Sequence, residues 1–184
     1  MRVTGVSIAG FGGVSGKIDI DLNADVVIVV GANGYGKTTI CNAISWVISG
    51  KTTSTQGPRN LYSKSGTTTV ELRTDFDGDD VVITRSLENP GETDAKNLRA
   101  PLRVRVNDAS LRGAAAEVWL RQNLAGTDNN EEFTTLAHTL VDSIYLKQES
   151  LREFLTVRQD SERFDAVASM VGAGRLREFA DELQ

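Results

Sequence analysis

The segment Gly31-Ala-Asn-Gly-Tyr-Gly-Lys37-Thr38 carries the strongest indication of the fold. It fits the spacing G-x-x-x-x-G-K-[ST] of a phosphate-binding loop, which joins a strand to a helix. An apolar run at residues 26–30 precedes the loop, and a helix-compatible segment at residues 38–48 follows it. Glycines let the backbone wrap closely around phosphate oxygens, and a helix N-terminus attracts their negative charge. The stretch therefore predicts that the chain holds a nucleoside triphosphate.

Two side chains of the loop have predicted chemical roles. Lys37 is expected to reach the β- and γ-phosphates, and the Thr38 hydroxyl is expected to ligate Mg²⁺.

The alternative is a glycine-rich turn with an incidental lysine, but the motif and its strand-to-helix context both favour the phosphate loop. A GTPase would need an N-K-x-D guanine reader downstream, and the sequence has none. The predicted cofactors are ATP and Mg²⁺.

Bulk composition indicates an ordinary globular domain. The chain has 184 residues, of which 40% are hydrophobic and 24% charged, and its net charge of −5 neither proves nor excludes binding to nucleic acid. The single cysteine, Cys41, cannot form an internal disulfide, which favours a reduced, cytoplasmic setting. The Cys41 side chain is expected to fill the core. No apolar signal peptide or membrane-length run is present, so we expect no membrane partner.

Hydrophobic periodicity predicts an α/β domain with a mixed sheet that includes antiparallel β elements. Strands are predicted at residues 2–9, 18–22, 26–30, 68–76, 81–85 and 102–106. The first two are expected to bury one face, the 26–30 run to be a central strand covered on both faces, and 102–106 to be an edge strand. A turn at Asp77-Gly78 is expected to close a hairpin. Helices are predicted at residues 38–48 (ended by Gly50), 114–124 (capped by Ser110), 131–141 and 164–171.

Several segments resemble those of a known family. Asn33-Gly34 resembles ABC-type ATPases, residues 31–50 resemble the opening of SMC-type ATPases (structural maintenance of chromosomes), and so does the lead-in at residues 6–11. The segment around Gln148 resembles the Q-loop of double-strand-break repair ATPases of the SbcC type. The resemblance covers nearly the whole chain and implies an ABC-type P-loop ATPase half-domain. Residues 1–172 would form the N-terminal lobe of the head, and residues 173–184 would start a coiled-coil helix.

The resemblance also implies a set of site residues. The expected ATP-binding residues are Gly12, Gly13, Gly31, Asn33, Gly34, Tyr35, Gly36, Lys37, Thr38 and Thr39. Thr38 and Gln148 are the expected Mg²⁺ ligands. Arg59 matches an arginine that related heads place near phosphate or DNA, although it is also an ordinary position for a solvated loop residue. Related heads often carry a basic or polar residue where this chain has Gly12, so only backbone contacts are expected there. Tyr35 replaces a small residue, so its ring is expected to point away from the phosphates.

Three parts of an ABC-type active site are missing from the sequence. We find no apolar run ending in Asp-Glu, no S-G-G signature and no switch histidine, so no catalytic residue is expected in this half. In the family these parts follow a long coiled coil. The implied partners are the C-terminal lobe of the same ATPase, a second head that dimerises on ATP, DNA, and a nuclease or bridging subunit. The implied location is the cytoplasm, at the nucleoid if the source is bacterial.

Two other functions remain open. A stand-alone, RecF-like or defence-type regulatory module would share the ATP-binding lobe but have little or no coiled coil. A phosphate-loop kinase would need an arginine-bearing lid and an acceptor pocket, and residues 51–67 are a poor candidate for both.

Overall fold

The computed structural model describes residues 1–50, 58, 60, 62–63, 66–88 and 100–126. The chain divides into two compact units, Met1–Asp128 and Asn129–Gln184, and every described element belongs to the first. In chain order these elements are β1 (Arg2–Phe11), β2 (Val14–Asp21), α1 (Lys37–Ser49), β3 (Thr67–Phe76), β4 (Asp79–Glu88), β5 (Leu102–Val106), β6 (Ala109–Arg112) and α2 (Ala114–Ala125). The predicted helices beyond residue 126, the coiled-coil start and the boundary at residue 172 lie outside the described residues.

The six described strands form one sheet in the order β2-β1-β3-β4-β5-β6, and every neighbouring pair is antiparallel. Helix α1 packs on β1, β3 and β4, while α2 packs on β5 and β6. The core between the sheet and these helices contains Val6, Ile8, Trp46, Val47, Val70, Leu72, Ile83, Val104 and Leu120. The predicted α/β class with antiparallel β elements is therefore confirmed.

The predicted hairpin and the two described helices are also confirmed. β3 and β4 pair from Thr67↔Glu88 to Phe76↔Asp79, which leaves a two-residue loop. Its residues Asp77 and Gly78 have φ of 53° and 93°, the left-handed values that a type I′ turn requires. Helix α1 ends at Gly50, whose φ is 71° and whose N–H bonds to Trp46 O.

The 26–30 run does not form the predicted central strand. It has no strand pairing with any described residue, and its side chains are exposed, from 42% for Val27 to 88% for Val30. An extended segment becomes a strand only when a neighbour completes its hydrogen bonds. The described sheet is continuous from β2 to β6 without this run, so its apolar pattern is left without a partner there.

Four smaller expectations were wrong because of where the segments lie in the sheet. Residues 102–106 form an interior strand, because β6 covers the expected free edge. Ser110 lies inside β6, and Gly113, not Ser110, precedes α2. β2 was expected to bury one face, but it is an edge strand with Ile18 36% exposed, because α1 lies over β1, β3 and β4. β1 was also expected to bury one face, but its residues 5–8 are buried on both faces.

Candidate nucleotide site

The phosphate loop ends where α1 begins. Gly34 and Gly36 have φ of 83° and 81°, in the left-handed region, and Gly36 is the residue before the helix. No side chain caps this end of α1, and its first turn contains no acidic residue. The first N–H groups of a helix have no intrahelical partner. The loop therefore presents uncapped N–H donors and a positive helix end, which together favour a bound anion.

The Lys37 ammonium is folded back over the loop. Its Nζ donates to Gly31 O at 2.7 Å and to Ala32 O at 2.8 Å. An ammonium has three donors, so these two bonds leave one N–H available. The ammonium lies beside the loop, where a phosphate oxygen can replace either carbonyl as the acceptor of its hydrogen bond.

The β1–β2 turn packs against the first turn of α1. Gly13 N lies 3.4 Å from Thr39 Oγ1, a long hydrogen bond. A Cβ added at Gly12 would meet Thr39 Cγ2 at 3.0 Å, and one added at Gly13 would meet Thr39 Oγ1 at 3.2 Å. The turn thus places two side-chain-free residues beside the phosphate loop, where only backbone atoms are available to a ligand.

Asn60 holds this turn in place, a role that we did not predict from the sequence. Its N–H donates to Gly10 O at 2.9 Å, its Nδ2 donates to Gly12 O at 2.6 Å, and its Oδ1 accepts from Tyr62 N at 2.8 Å. Gly12 N in turn donates to Pro58 O at 2.9 Å. Asn60 is only 6% exposed, so a side chain in the middle of a polar loop is a buried bridge. A polar loop sequence carries no signal for such a contact.

Arg85, on β4, is the second residue that sequence reasoning missed. It is 5% exposed and donates to the last carbonyls of α1, from Nε to Val47 O at 2.8 Å and from Nη2 to Ile48 O at 3.3 Å. Its Nη1 forms an ion pair with Glu117 of α2 at 3.2 Å. Burial lowers the pKa of Arg85 and the Glu117 carboxylate opposes that shift. In the sequence, Arg85 is only one residue of an alternating strand.

The scan against protein families gives a match over almost the whole chain. The AAA domain family model, AAA_23, matches residues 6–184. The chain belongs to this AAA domain family. Membership confirms the predicted assignment to an ATPase family at the level of the AAA domain. The SbcC type stays a prediction.

No curated protein matches the chain. Among solved structures, the SMC head domain from Thermotoga maritima is similar, with a TM-score of 0.48 and 25% sequence identity. The match covers 85% of this chain and 56% of that chain, so this AAA domain chain spans little more than half of that head domain.

The remaining predicted site residues fall into two groups. Gly31, Asn33 and Thr38 are exposed at the phosphate loop, and the Tyr35 side chain is 82% exposed. Gln148 and Arg59 lie outside the described residues, so their predicted roles stay predictions.

Cys41 and Trp46 lie on the same helix but differ from each other in burial. Trp46 belongs to the core, and its ring centroid lies 5.3 Å from that of Phe11. The prediction that Cys41 fills the core was wrong, because its position on α1 is exposed. Neighbouring atoms still desolvate the thiol and raise its pKa, which disfavours a thiolate nucleophile.

The described part of the chain shows no other candidate centre for chemistry. It contains no group of three or more His, Cys, Asp or Glu side chains placed to hold a metal ion. None of its helices is long and apolar enough to span a membrane. Of the two predicted Mg²⁺ ligands, the described residues include Thr38, whose hydroxyl is a hard oxygen donor suited to Mg²⁺ beside a triphosphate.

Proposed function

We propose that this chain is the ATP-binding half of an SMC- or SbcC-like ATPase head that dimerises on ATP and acts on DNA. Repair, recombination or chromosome organisation would be the setting. The observation that carries the proposal is the start of α1. There, uncapped N–H groups, left-handed Gly34 and Gly36, and the Lys37 ammonium converge at one exposed loop. This combination suits a triphosphate, since donors and positive charge lie where the anion would be.

The residues of the loop divide the work of binding. Backbone N–H groups of the loop and of the first turn of α1 would hold phosphate oxygens. Lys37 would exchange its bonds to Gly31 O and Ala32 O for bonds to the β- and γ-phosphates, and the Thr38 hydroxyl would ligate Mg²⁺. The Gly12-Gly13 turn would offer backbone atoms at the side of the nucleotide. Mg²⁺ would neutralise phosphate charge during hydrolysis.

The exposed 26–30 run supports the view that this lobe requires a second one. A run that is apolar at every position suits a strand that is covered on both faces. In the folded chain the run instead lies outside the described sheet, with Val26, Ile28 and Val30 77–88% exposed. A C-terminal lobe that adds strands here would cover this surface and supply the missing Asp-Glu pair and signature motif. ATP hydrolysis would then require the joined head and its dimer.

The outer face of the sheet supports DNA as the partner. Arg103, Arg105 and Arg112 form an exposed group, here called the β5–β6 arginine face, on the side opposite buried Leu102 and Val104. Arg103 and Arg112 are direct cross-strand partners. Among the described residues, no carboxylate forms an ion pair with either of them, whereas Arg105 lies 3.6 Å from Asp80. Opposed like charges destabilise a strand pair, so an arrangement of this kind suits an external polyanion.

Binding of a fluorescent ATP analogue with Mg²⁺ tests the proposal. We expect Lys37→Ala to weaken binding by at least about 100-fold, because Lys37 is the one side-chain cation of the motif that would reach the phosphates. Lys17→Ala is the matched control. Lys17 lies on β2 in an ion pair with Asp19, with both side chains more than half exposed, so this variant should bind like the parent chain.

Hydrolysis distinguishes the half-head from the stand-alone module. We expect the purified chain to bind ATP and to release no phosphate above the Lys37→Ala background. Lys37-dependent hydrolysis by the chain alone would contradict the half-head and favour the stand-alone regulatory module. Failure of the parent chain to bind ATP at all would contradict both.

A further inference from the structure

We propose that Arg85 is a positioning residue of the nucleotide site, acting through α1 from the end opposite to the phosphate loop. The inference rests on the proposed function, because it concerns how the same site is held. Arg85 contacts no part of the phosphate loop. Its guanidinium instead joins the C-terminal end of α1 to β4, to the backbone before β5 and to α2.

The contacts restrain α1 along its axis. Nε donates to Val47 O at 2.8 Å and Nη2 donates to Ile48 O at 3.3 Å, so two carbonyls of the last turn bond to a side chain of the sheet. The last four carbonyls of a helix have no intrahelical partner, and a planar guanidinium can satisfy two of them in one fixed geometry. Since α1 is a rigid rod, the position of its last turn also determines where Lys37 lies.

Gly50 allows this close approach. A Cβ added at Gly50 would lie 3.2 Å from Arg85 Cζ and 3.3 Å from Nη1, closer than ordinary van der Waals contact. Gly50 also has a φ of 71°, so the same residue ends the helix and leaves room for the guanidinium. The cation therefore lies against the carbonyl end of α1, where the last turn contains no basic residue of its own.

Glu117 orients the guanidinium from the other side. Its Oε1 accepts from Arg85 Nη1 at 3.2 Å, and the same Nη1 lies 3.4 Å from Ala100 O. Glu117 is in the first turn of α2, where a carboxylate is favoured by the helix dipole. The pair thus joins the negative end of α1 to the positive end of α2 through one ion pair. A lysine at position 85 would keep the charge but would lack the fork that reaches all four acceptors.

Nucleotide affinity compared with folding stability tests the inference. In the full chain, we expect Arg85→Met to raise the Kd for Mg-ATP about tenfold. This is the effect expected if the displaced Lys37 loses roughly one charge-assisted hydrogen bond to phosphate. Arg85→Lys should raise it by a smaller factor, because one carbonyl keeps a cationic partner. Glu117→Gln should also raise it less, since the amide still accepts a hydrogen bond.

Val104→Ala is the control for a merely structural effect. Val104 is fully buried on β5, which packs against α2, and its truncation destabilises the core without touching the end of α1. At a temperature where circular dichroism shows every variant folded, Val104→Ala should bind ATP with the parental Kd. The inference is overturned if the Arg85 variants also bind with that Kd, or if Kd follows the unfolding midpoint across all variants. If Arg85→Met does not fold, the comparison of Arg85→Lys and Glu117→Gln with Val104→Ala decides.

The two proposals fail in different ways. If the parent chain does not bind Mg-ATP, the proposed function fails and this inference fails with it. If the parent chain binds and Lys37→Ala does not, while the Arg85 and Glu117 variants bind normally, only the positioning role of Arg85 is refuted.

Discussion

At the scale of single residues, two buried polar side chains decide how the nucleotide site is built. Asn60 bridges the end of β1 to the loop that follows α1, and Arg85 bridges the end of α1 to β4 and α2. Both are nearly inaccessible to solvent, at 6% and 5% exposure. Buried polar groups are retained where their hydrogen bonds are made, because an unpaired donor or acceptor is costly. The loop and the helix beside it are therefore held by a few directional bonds in addition to apolar packing.

Truncation of Asn60 tests its role as a bridge. We expect Asn60→Ala to lower the free energy of unfolding by about 2 kcal/mol, because two hydrogen bonds worth about 1 kcal/mol each, to Gly12 O and from Tyr62 N, are lost. Chemical denaturation measures this difference. Asn123→Ala is the control, since the side-chain hydrogen bond of Asn123 within the described residues stays in its own helix, at Trp119 O, and its effect should stay within about 0.5 kcal/mol. Equal effects of the two substitutions would contradict the bridge.

At the scale of elements, β5 and β6 combine a buried face with a basic one. Leu102 and Val104 point into the core, and the β5–β6 arginine face lies on the opposite side because side chains alternate along a strand. The Arg103↔Arg112 pair works against the pairing of β5 with β6. The strand pair therefore gives up some stability for an exposed basic surface.

Replacement of both arginines should separate stability from DNA binding. We expect Arg103→Ser with Arg112→Ser to raise the free energy of unfolding by roughly 0.5 kcal/mol, since two opposed charges are removed. The same variant should bind duplex DNA more weakly. The negative slope of log K against log salt should become shallower by up to about 2.

Arg2→Ser is the control for that experiment. Arg2 is exposed and pairs with Asp25 at 3.1 Å, away from the β5–β6 arginine face, so it should alter neither the stability nor the salt slope appreciably. An unchanged slope in the double variant would exclude this face from the DNA interface.

At the scale of the whole molecule, the described unit has a closed core and one uncovered apolar segment. The core lies between six antiparallel strands and two helices, and the 26–30 run contributes nothing to the sheet. Monomeric proteins rarely leave such contiguous apolar residues in water, and uncovered strand-forming segments promote association. The isolated chain should therefore self-associate unless a partner covers this run.

A charge placed in the run tests this expectation. Ile28 is 80% exposed, so we expect Ile28→Lys to change the free energy of unfolding by less than about 0.5 kcal/mol and to reduce self-association in sedimentation velocity. Ile83→Lys is the contrasting variant, because Ile83 is fully buried and a lysine there should prevent folding. If Ile28→Lys instead destabilises the chain by several kcal/mol, the run is covered in the folded chain.

Features that depend on neighbours along the chain were predictable from the sequence. The phosphate-loop spacing predicted where α1 begins, Gly50 predicted where it ends, and Asp77-Gly78 predicted a two-residue hairpin turn. Each depends on backbone conformations that only a few residue types adopt readily, so the signal is local. The assignment to an ATPase family follows from the same loop and its context.

Tertiary structure alone decided which strands lie at an edge, which faces are covered and which polar side chains are buried. Residues 102–106 have the pattern of an edge strand but lie inside the sheet, and the 26–30 run has the pattern of a central strand but lies uncovered. Asn60 and Arg85 gave no signal, because the partners of their side chains are up to 48 residues away along the chain. Hydrophobic periodicity records what a segment can bury, whereas burial itself depends on the surface that the rest of the fold brings to it.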